Sequence, residues 1–328
     1  MEQAPVAHEN IIAHALQALG TMSMCDFTYE LLTGGVSQSF TYALNLGKDA
    51  LVLKATLPGS ASEVMGRAQR EALFYHHLAG RVPLRVPRVL DTNVGDEVGR
   101  SPVYILMARY QPSQPPGEWR EGQFVEAAGQ IASLHAAFWD RTGDLRELPW
   151  LKREQQTPIF APDRAVEGAQ SYWRDLQQAK PAGAVPDALE TLQNLRSLRA
   201  ILRSFPLTLC HGDCHAGNVL VDGDGGMVWA DWQDVGLGRG PVDLSFFMER
   251  SYFAGAAVPH ASVIRAYREA LEAATGQPFP EPEVRHAMVA AELLSWLLAW
   301  PPFLPWASAE QLSRVLQRVA HLAEQLFP

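Results

Sequence analysis

Residues 209–220, LCHGDCHAGNVL, crowd two His, two Cys, one Asp and one Asn between apolar ends. Three kinds of chemistry use such residues. Cys210, His211, Asp213, Cys214 and His215 could all bind metal. A closed zinc site, however, usually draws four ligands from two separate knuckles. Here the ligands crowd one knuckle, no second Cys/His pair follows, and Cys25 is remote. A serine nucleophile is not supported, because the chain has no G-x-S-x-G elbow. The third possibility is an acid and an amide held in fixed places. Asp213 could accept a hydroxyl proton, and Asn218, five positions on, could turn back across the loop to hold a hard cation.

His211-Gly212-Asp213 followed by Asn218 has the spacing of the catalytic loop of phosphoryl-transfer kinases. The next segment, VLVDGDGGMVWADW, predicts a hairpin with Asp231 at its far end, 18 residues after Asp213, where kinases place a second metal-binding Asp. An Asn, an Asp and nucleotide phosphates suffice for Mg²⁺, which prefers oxygen and keeps some water. That chemistry needs a phosphate-holding Lys on a strand and a Glu on the following helix. LVLKA places Lys54 inside an apolar run, where a Lys needs a partner, and RAQREALFY places Glu71 mid-helix. LTGGVSQSF has Gly34 and Gly35 but no G-x-G-x-x-G; its backbone N–H groups, with Ser37 or Ser39, could still touch phosphate. Met107, Ala108 and Tyr110, at the end of YILMARY, are placed to offer backbone groups to an adenine edge.

The elements that must position these residues follow from hydrophobic period and turn chemistry. Residues 8–19 predict a short helix. A strand pair follows around Gly34-Gly35, then a strand in DALVLKATL, a helix over SEVMGRAQREALFYHHLAG ending at Gly80, and strands at 86–91 and 102–108. After the Pro-rich connector QPSQPPGEW the pattern turns helical, with helices expected at 121–140, 164–180, 187–204, 261–275, 282–299 and 307–326 and a hairpin set among them. The expected division is residues 1–110, a nucleotide-binding lobe, and residues 111–328, a catalytic and substrate-binding helical lobe. Clefts between such units are common ligand sites.

The 328 residues carry a net charge of −9, which argues against nucleic-acid binding. Residues 1–110 hold 10 acidic against 9 basic groups and residues 111–328 hold 26 against 18, so the second half suits a cationic substrate or a solvated surface. Three Cys make no disulfide framework, and the start has no basic region before an apolar run; a cytoplasmic chain is expected. AMVAAELLSWLLAWPPFLPW is broken by Glu292 and three Pro, and predicts a buried helix rather than a membrane span. A monomer or homodimer is expected.

Together, LTGGVSQSFTYAL, Lys54, Glu71, QIASLHAAF, LCHGDCHAGNVL and DWQDVGLGRGPVDLSFF resemble the aminoglycoside phosphotransferase and choline kinase-like superfamily over about residues 28–256. The resemblance implies an α+β protein-kinase-like fold, with a small antiparallel sheet lobe carrying a helix and a larger helical lobe. It implies Mg²⁺ with ATP or GTP, and phosphoryl transfer to a hydroxyl of a small molecule. It further implies Asp213 as base, Asn218 and Asp231 as metal ligands, Lys54 on the α- and β-phosphates with Glu71 holding it, and Asp243 and His211 bracing the catalytic loop. Trp-Gln after Asp231, where protein kinases have Phe-Gly, and the lack of an Ala-Pro-Glu signature favour a small-molecule kinase over a protein kinase. Ala108 and Arg109 stand where many relatives have an acidic hinge, which leaves ATP and GTP both open. A rival of another class is a kinase-like module that binds nucleotide or metabolite without turnover. Trp150, Phe160, Tyr172 and Trp173 could line an acceptor pocket, although such residues are more often core.

Overall fold

The computed structural model describes residues 5–17, 27–32, 39–47, 49–96, 100–161, 163–179 and 185–327. The chain forms two compact units, residues 1–113 with 218–235, and residues 114–217 with 236–328. The hairpin expected within the helical lobe therefore clusters with the sheet unit.

The first unit holds α1 (Pro5–Gln17), β1 (Phe27–Leu32), β2 (Phe40–Leu46), β3 (Asp49–Thr56), α2 (Ser62–His77), β4 (Val89–Asn93), β5 (Val103–Ala108), β6 (Gln111–Pro112) and the hairpin β8 (Val219–Val221) and β9 (Met227–Trp229). Its main sheet has the order β1-β2-β3-β5-β4, antiparallel throughout. Side chains alternate between the two faces of a strand. On one face Leu51, Leu53, Tyr104 and Leu106 pack with Ile11, Ile12 and Leu16 of α1. On the other, Val103, Ile105 and Met107 pack with Met65, Ala68 and Ala72 of α2, with Val52 beside them. Lys54 is two residues from Val52, so the same alternation turns it toward the α2 face. Helix α2 ends at His77, three residues before the expected glycine stop, and its last turn is closed by Leu78 and Ala79 N–H groups on Phe74 O.

The second unit holds α3 (Glu121–Ala137), α4 (Asp163–Ala179), α5 (Val185–Thr191), α6 (Leu195–Arg203), β7 (Leu207–Cys210), β10 (Gly236–Arg239), α7 (Gly240–Phe253), α8 (His260–Thr275), α9 (Glu281–Leu298) and α10 (Ala309–Leu326). The one helix expected over 187–204 is α5 and α6, separated by a 3₁₀ turn at Leu192–Asn194. Helix α9 is buried from Ala287 to Leu298, which explains its apolar composition on all sides. Among the described residues no helix is long and apolar enough to cross a membrane.

Helix α7 carries buried polar groups on its inner side. The Glu249 carboxylate accepts from the hydroxyls of Ser245 and Ser295 and, at 3.0 Å, from Trp300 Nε1. Glu292 beside it takes both arms of Arg318, each at 2.6 Å. Burial, reinforced by Glu292, pushes the Glu249 carboxyl up to about 8. The folded chain therefore holds a proton that the unfolded chain has released above the ordinary value of 4.5. Stability should fall as pH rises from about 4.5 to about 8, by on the order of a few kcal/mol, and level off above. Urea unfolding across that range should show the slope in the wild type and its loss in Glu249→Gln. An equal slope in the variant would remove Glu249 as its source.

Candidate active site

In the first unit Lys54 Nζ lies 2.6 Å from Glu71 Oε2 and 2.5 Å from Asp231 Oδ1. Strand alternation delivers the Lys. On α2, Met65, Ala68, Glu71, Ala72 and Tyr75 share one stripe by the three-and-four spacing, so Glu71 sits in the apolar face and is 1% exposed. A buried carboxylate there is tolerable only because the ammonium reaches it. Burial works against the Lys54 charge, but Glu71 and Asp231 outweigh it and keep the ammonium protonated. Burial likewise pushes the Glu71 carboxyl up, opposed by Lys54.

Asp231 ends the β8–β9 hairpin in a left-handed conformation, φ 64° and ψ 58°. That region is uncommon for residues with a side chain, and Asp enters it more readily than most. Three contacts pin the segment that follows it to α2. Arg67 Nη2 is 2.5 Å from Asp234 Oδ2, Arg70 Nη1 donates to Gln233 O at 2.7 Å, and Trp232 stacks on Phe74 with centroids 4.1 Å apart. Asn218 is nearly buried, and its carbonyl accepts from Ala230 N at 2.9 Å, which ties it to the residue before Asp231. Asn218 and Asp231 offer an amide and a carboxylate oxygen, the hard donor set Mg²⁺ prefers, so the residues present fit that ion. Tyr75 adds a buried hydroxyl with no hydrogen-bond partner among the described residues, and burial, Glu71 and Asp231 raise its pKa well above the usual value. Such an orphan is what a bound water or ligand atom satisfies.

In the second unit β7 leads into the loop that carries His211, Gly212 and Asp213. Asp243, near the start of α7, receives both loop amides: His211 N–H on Oδ2 at 2.6 Å and Gly212 N–H on Oδ1 at 2.9 Å. Gly212 has φ +82°, which needs glycine. Asp213 is half-buried, with His215 Nε2 at 3.8 Å from its Oδ1. The crowd of possible ligands in this loop does not gather as one site. Among the described residues, the set whose ligand atoms lie within 4.8 Å of one another is His135, Cys210 and Asp243.

Of the residues singled out from sequence, Lys54, Glu71 and Asp231 are thus brought together in one unit, Asn218 lies in that unit, and Asp213 lies in the other. Gly34, Gly35 and Ser37 fall outside the described residues. Met107 is buried in the sheet core, Ala108 N–H is committed to Arg88 O at 3.0 Å, and the Tyr110 hydroxyl accepts from Arg88 N–H at 3.2 Å. Trp173 is wholly buried, with Nε1 on Leu297 O, and Phe160 is core, so these two are packing residues. Sequence reasoning passed over Arg67, Arg70 and Phe74, although with Glu71 they fall at 67, 70, 71 and 74 on one helix face. That spacing was the available signal.

Comparison with known proteins decides the family. The sequence matches the phosphotransferase enzyme family over residues 28–282. The chain belongs to that family. It is a phosphotransferase. A comparison with curated proteins finds no match. Solved structures with the same fold include the GDP complex of aminoglycoside 2'-phosphotransferase-IIIa, at 14% identity and TM-score 0.62, covering 97% of this chain and 99% of that one. Choline kinase from Cryptosporidium parvum Iowa II superposes at 10% identity and TM-score 0.62, covering 97% and 94%. A macrolide 2'-phosphotransferase from Brachybacterium faecium superposes at 15% identity and TM-score 0.53, covering 95% and 98%. At these identities the likeness establishes the protein-kinase-like α+β fold, and this phosphotransferase keeps it nearly end to end.

Proposed function

We propose that this phosphotransferase moves the γ-phosphoryl group of ATP or GTP to a hydroxyl of a small molecule, with Mg²⁺. The observation that carries it is the Lys54–Glu71–Asp231 cluster: a buried ammonium held by one carboxylate from the helix and one from the hairpin, at 2.6 and 2.5 Å. Lys54 draws negative charge off the phosphates, and Glu71 keeps its ammonium aimed and charged. Asn218 and Asp231 hold the ion, which when bound neutralises charge on the phosphate oxygens. Asp213 accepts the proton of the acceptor hydroxyl. The hydroxyl oxygen forms the new bond to the γ-phosphorus as the bond to the β-phosphate oxygen breaks, leaving a phosphoester and a nucleoside diphosphate. Positioning and electrostatics supply most of the acceleration in such transfers.

The acceptor is sought among hydroxylated cationic or ring-bearing molecules, which suit the acidic helical half. The similar folds include phosphotransferases for aminoglycosides and macrolides, a choline kinase and an aminopropanol kinase. The test is a panel of such compounds with Mg·ATP and Mg·GTP, read by nucleoside diphosphate release and by mass of the acceptor. A phosphorylated acceptor is expected. Nucleotide binding with neither hydrolysis nor transfer across the panel would favour a binding module without turnover.

A further inference from the structure

Helix α7 carries two neighbouring stripes of opposite character. Ser245 and Glu249, one turn apart, face inward and are buried. Phe246, Arg250 and Phe253, spaced by four and three, share the next stripe and are half-buried. That stripe begins next to Asp213: His215 Nε2 is 3.8 Å from Asp213 Oδ1, and the His215 ring meets Phe246 edge-on with centroids 6.5 Å apart. It ends among aromatic rings. Phe253 lies 4.6 Å from Trp300, and Phe303, 57% exposed, stands 6.4 Å from Trp300 on another side. Between the two ends Arg250 holds its guanidinium 5.8 Å over the Trp300 ring. Other arginines of this unit have acids: Arg239 pairs with Glu154, Arg268 with Glu272 and Arg318 with Glu292. The Arg250 guanidinium has no hydrogen-bond or ion-pair partner among the described residues. Its sequence neighbour Glu249 is turned inward onto Ser245, Ser295 and Trp300 Nε1, and burial pushes that carboxyl up to about 8. The bond from Trp300 Nε1 to Glu249 fixes the indole beneath Arg250. A guanidinium held on an indole face is weakly hydrated, and its free edge suits a planar anion through two parallel N–H bonds.

We propose that Arg250 determines the acceptor class: the stripe from Phe246 to Phe253 takes a ring-bearing alcohol that carries a carboxylate, with the carboxylate on Arg250 and the hydroxyl at Asp213. The proposal deepens the transfer reading and rests on Asp213 being the base. Phe246 and Arg250 are one turn apart, about 6 Å along the helix axis. A molecule that reaches from Asp213 to Arg250 therefore needs a spacer about one aromatic ring long. Phe246 and Phe253 flank that span with apolar rings, which suit an aromatic spacer. The acidity of residues 111–328 is a sum over the whole helical half, and salt screens it beyond about 10 Å. What an acceptor meets on this stripe is a cation. A cationic acceptor would set like charge against Arg250, and that repulsion selects against it. Of the cationic and the ring-bearing acceptors, the stripe thus favours the second and adds an anionic group to it.

The experiment gives the full-length chain three alcohols of one shape: 4-(hydroxymethyl)benzoate, 4-methylbenzyl alcohol and 4-(hydroxymethyl)benzylamine, which are anionic, neutral and cationic. With Mg·ATP and Mg·GTP, kcat/KM should be about tenfold higher for the benzoate than for the neutral alcohol, and lowest for the amine. Arg250→Gln should raise KM for the benzoate about tenfold with KM for nucleotide unchanged, and bring the benzoate level with the neutral alcohol. Arg250→Lys keeps the charge but loses the fork, and should recover part of the difference. Calorimetric titration with the benzoate alone should show the same order of affinity, wild type above Arg250→Lys above Arg250→Gln, with thermal unfolding as the control for folding. Preference for the amine, equal use of all three, or benzoate affinity unchanged in Arg250→Gln would overturn the proposal and leave Arg250 as packing on Trp300. A wild type that binds none of the three would overturn it as well. The titration needs no turnover, so benzoate held through Arg250 without phosphoester formation would keep the site and count against the transfer.

Discussion

Asp213→Ala is expected to lower phosphoryl transfer about a thousandfold while the chain stays folded and binds Mg·ATP as before. The size follows from what is removed. A positioned base contributes about 10² to 10⁴ to such a step, and Asp213 also orients the attacking oxygen. The sparing of the fold follows from the structure. The loop is held by the His211 and Gly212 amides on Asp243. The Asp213 side chain is partly solvent-exposed, so its truncation opens no sealed cavity. Asp213→Asn, which keeps the size and loses the base, should match the Ala variant in turnover. Thermal unfolding and nucleotide titration serve as controls. Turnover within tenfold of wild type in either variant would remove Asp213 from the role of base.

Much of the first unit was legible because its logic is local. LVLKA alternates, and one alternation decides that Lys54 faces the same side as Val52. The strand and helix order around it follows from period and turn residues, and the hairpin ending at Asp231 from its Gly-Asp run. Glu71 was legible only through its relation to Lys54, since a lone helical Glu ordinarily faces water; its burial follows from Met65, Ala68, Ala72 and Tyr75 on the same stripe. Helix α7 went unread for the opposite reason. Gly240-Pro241 opens it, and Asp243, Ser245, Glu249 and Ser251 are polar yet buried, so apolar and polar positions do not separate by face. The division of the chain was also hidden. Residues 218–235 follow the catalytic loop in sequence but pack through Arg67, Arg70, Phe74 and Arg85 with the sheet unit. The partners of His135 were illegible too, because Tyr267 is 132 residues away and nothing local announces that contact.

The roles of Lys54 and Asp231 are coupled by the ion pair between them, which makes charge removal at the hairpin a two-sided test. Asp231→Asn keeps the size of the side chain and tolerates the left-handed backbone at φ 64°, since Asn adopts that conformation more readily than other residues with a side chain. It removes the one anionic ligand proposed for Mg²⁺. It also leaves the Lys54 ammonium with Glu71 as its sole carboxylate partner in the cluster. Mg·ATP affinity should therefore fall about a hundredfold, near what a lost anionic ligand costs in a divalent site. Nucleotide binding in the presence of a chelator should hold or strengthen, because Asp231 no longer competes with phosphate for Lys54. Calorimetric titration with and without Mg²⁺ reads both limbs on the same preparation. A parallel loss with and without the ion would assign Asp231 to structure alone. Unchanged Mg·ATP affinity would take the ion away from the hairpin and leave the aspartate as a counter-charge for Lys54.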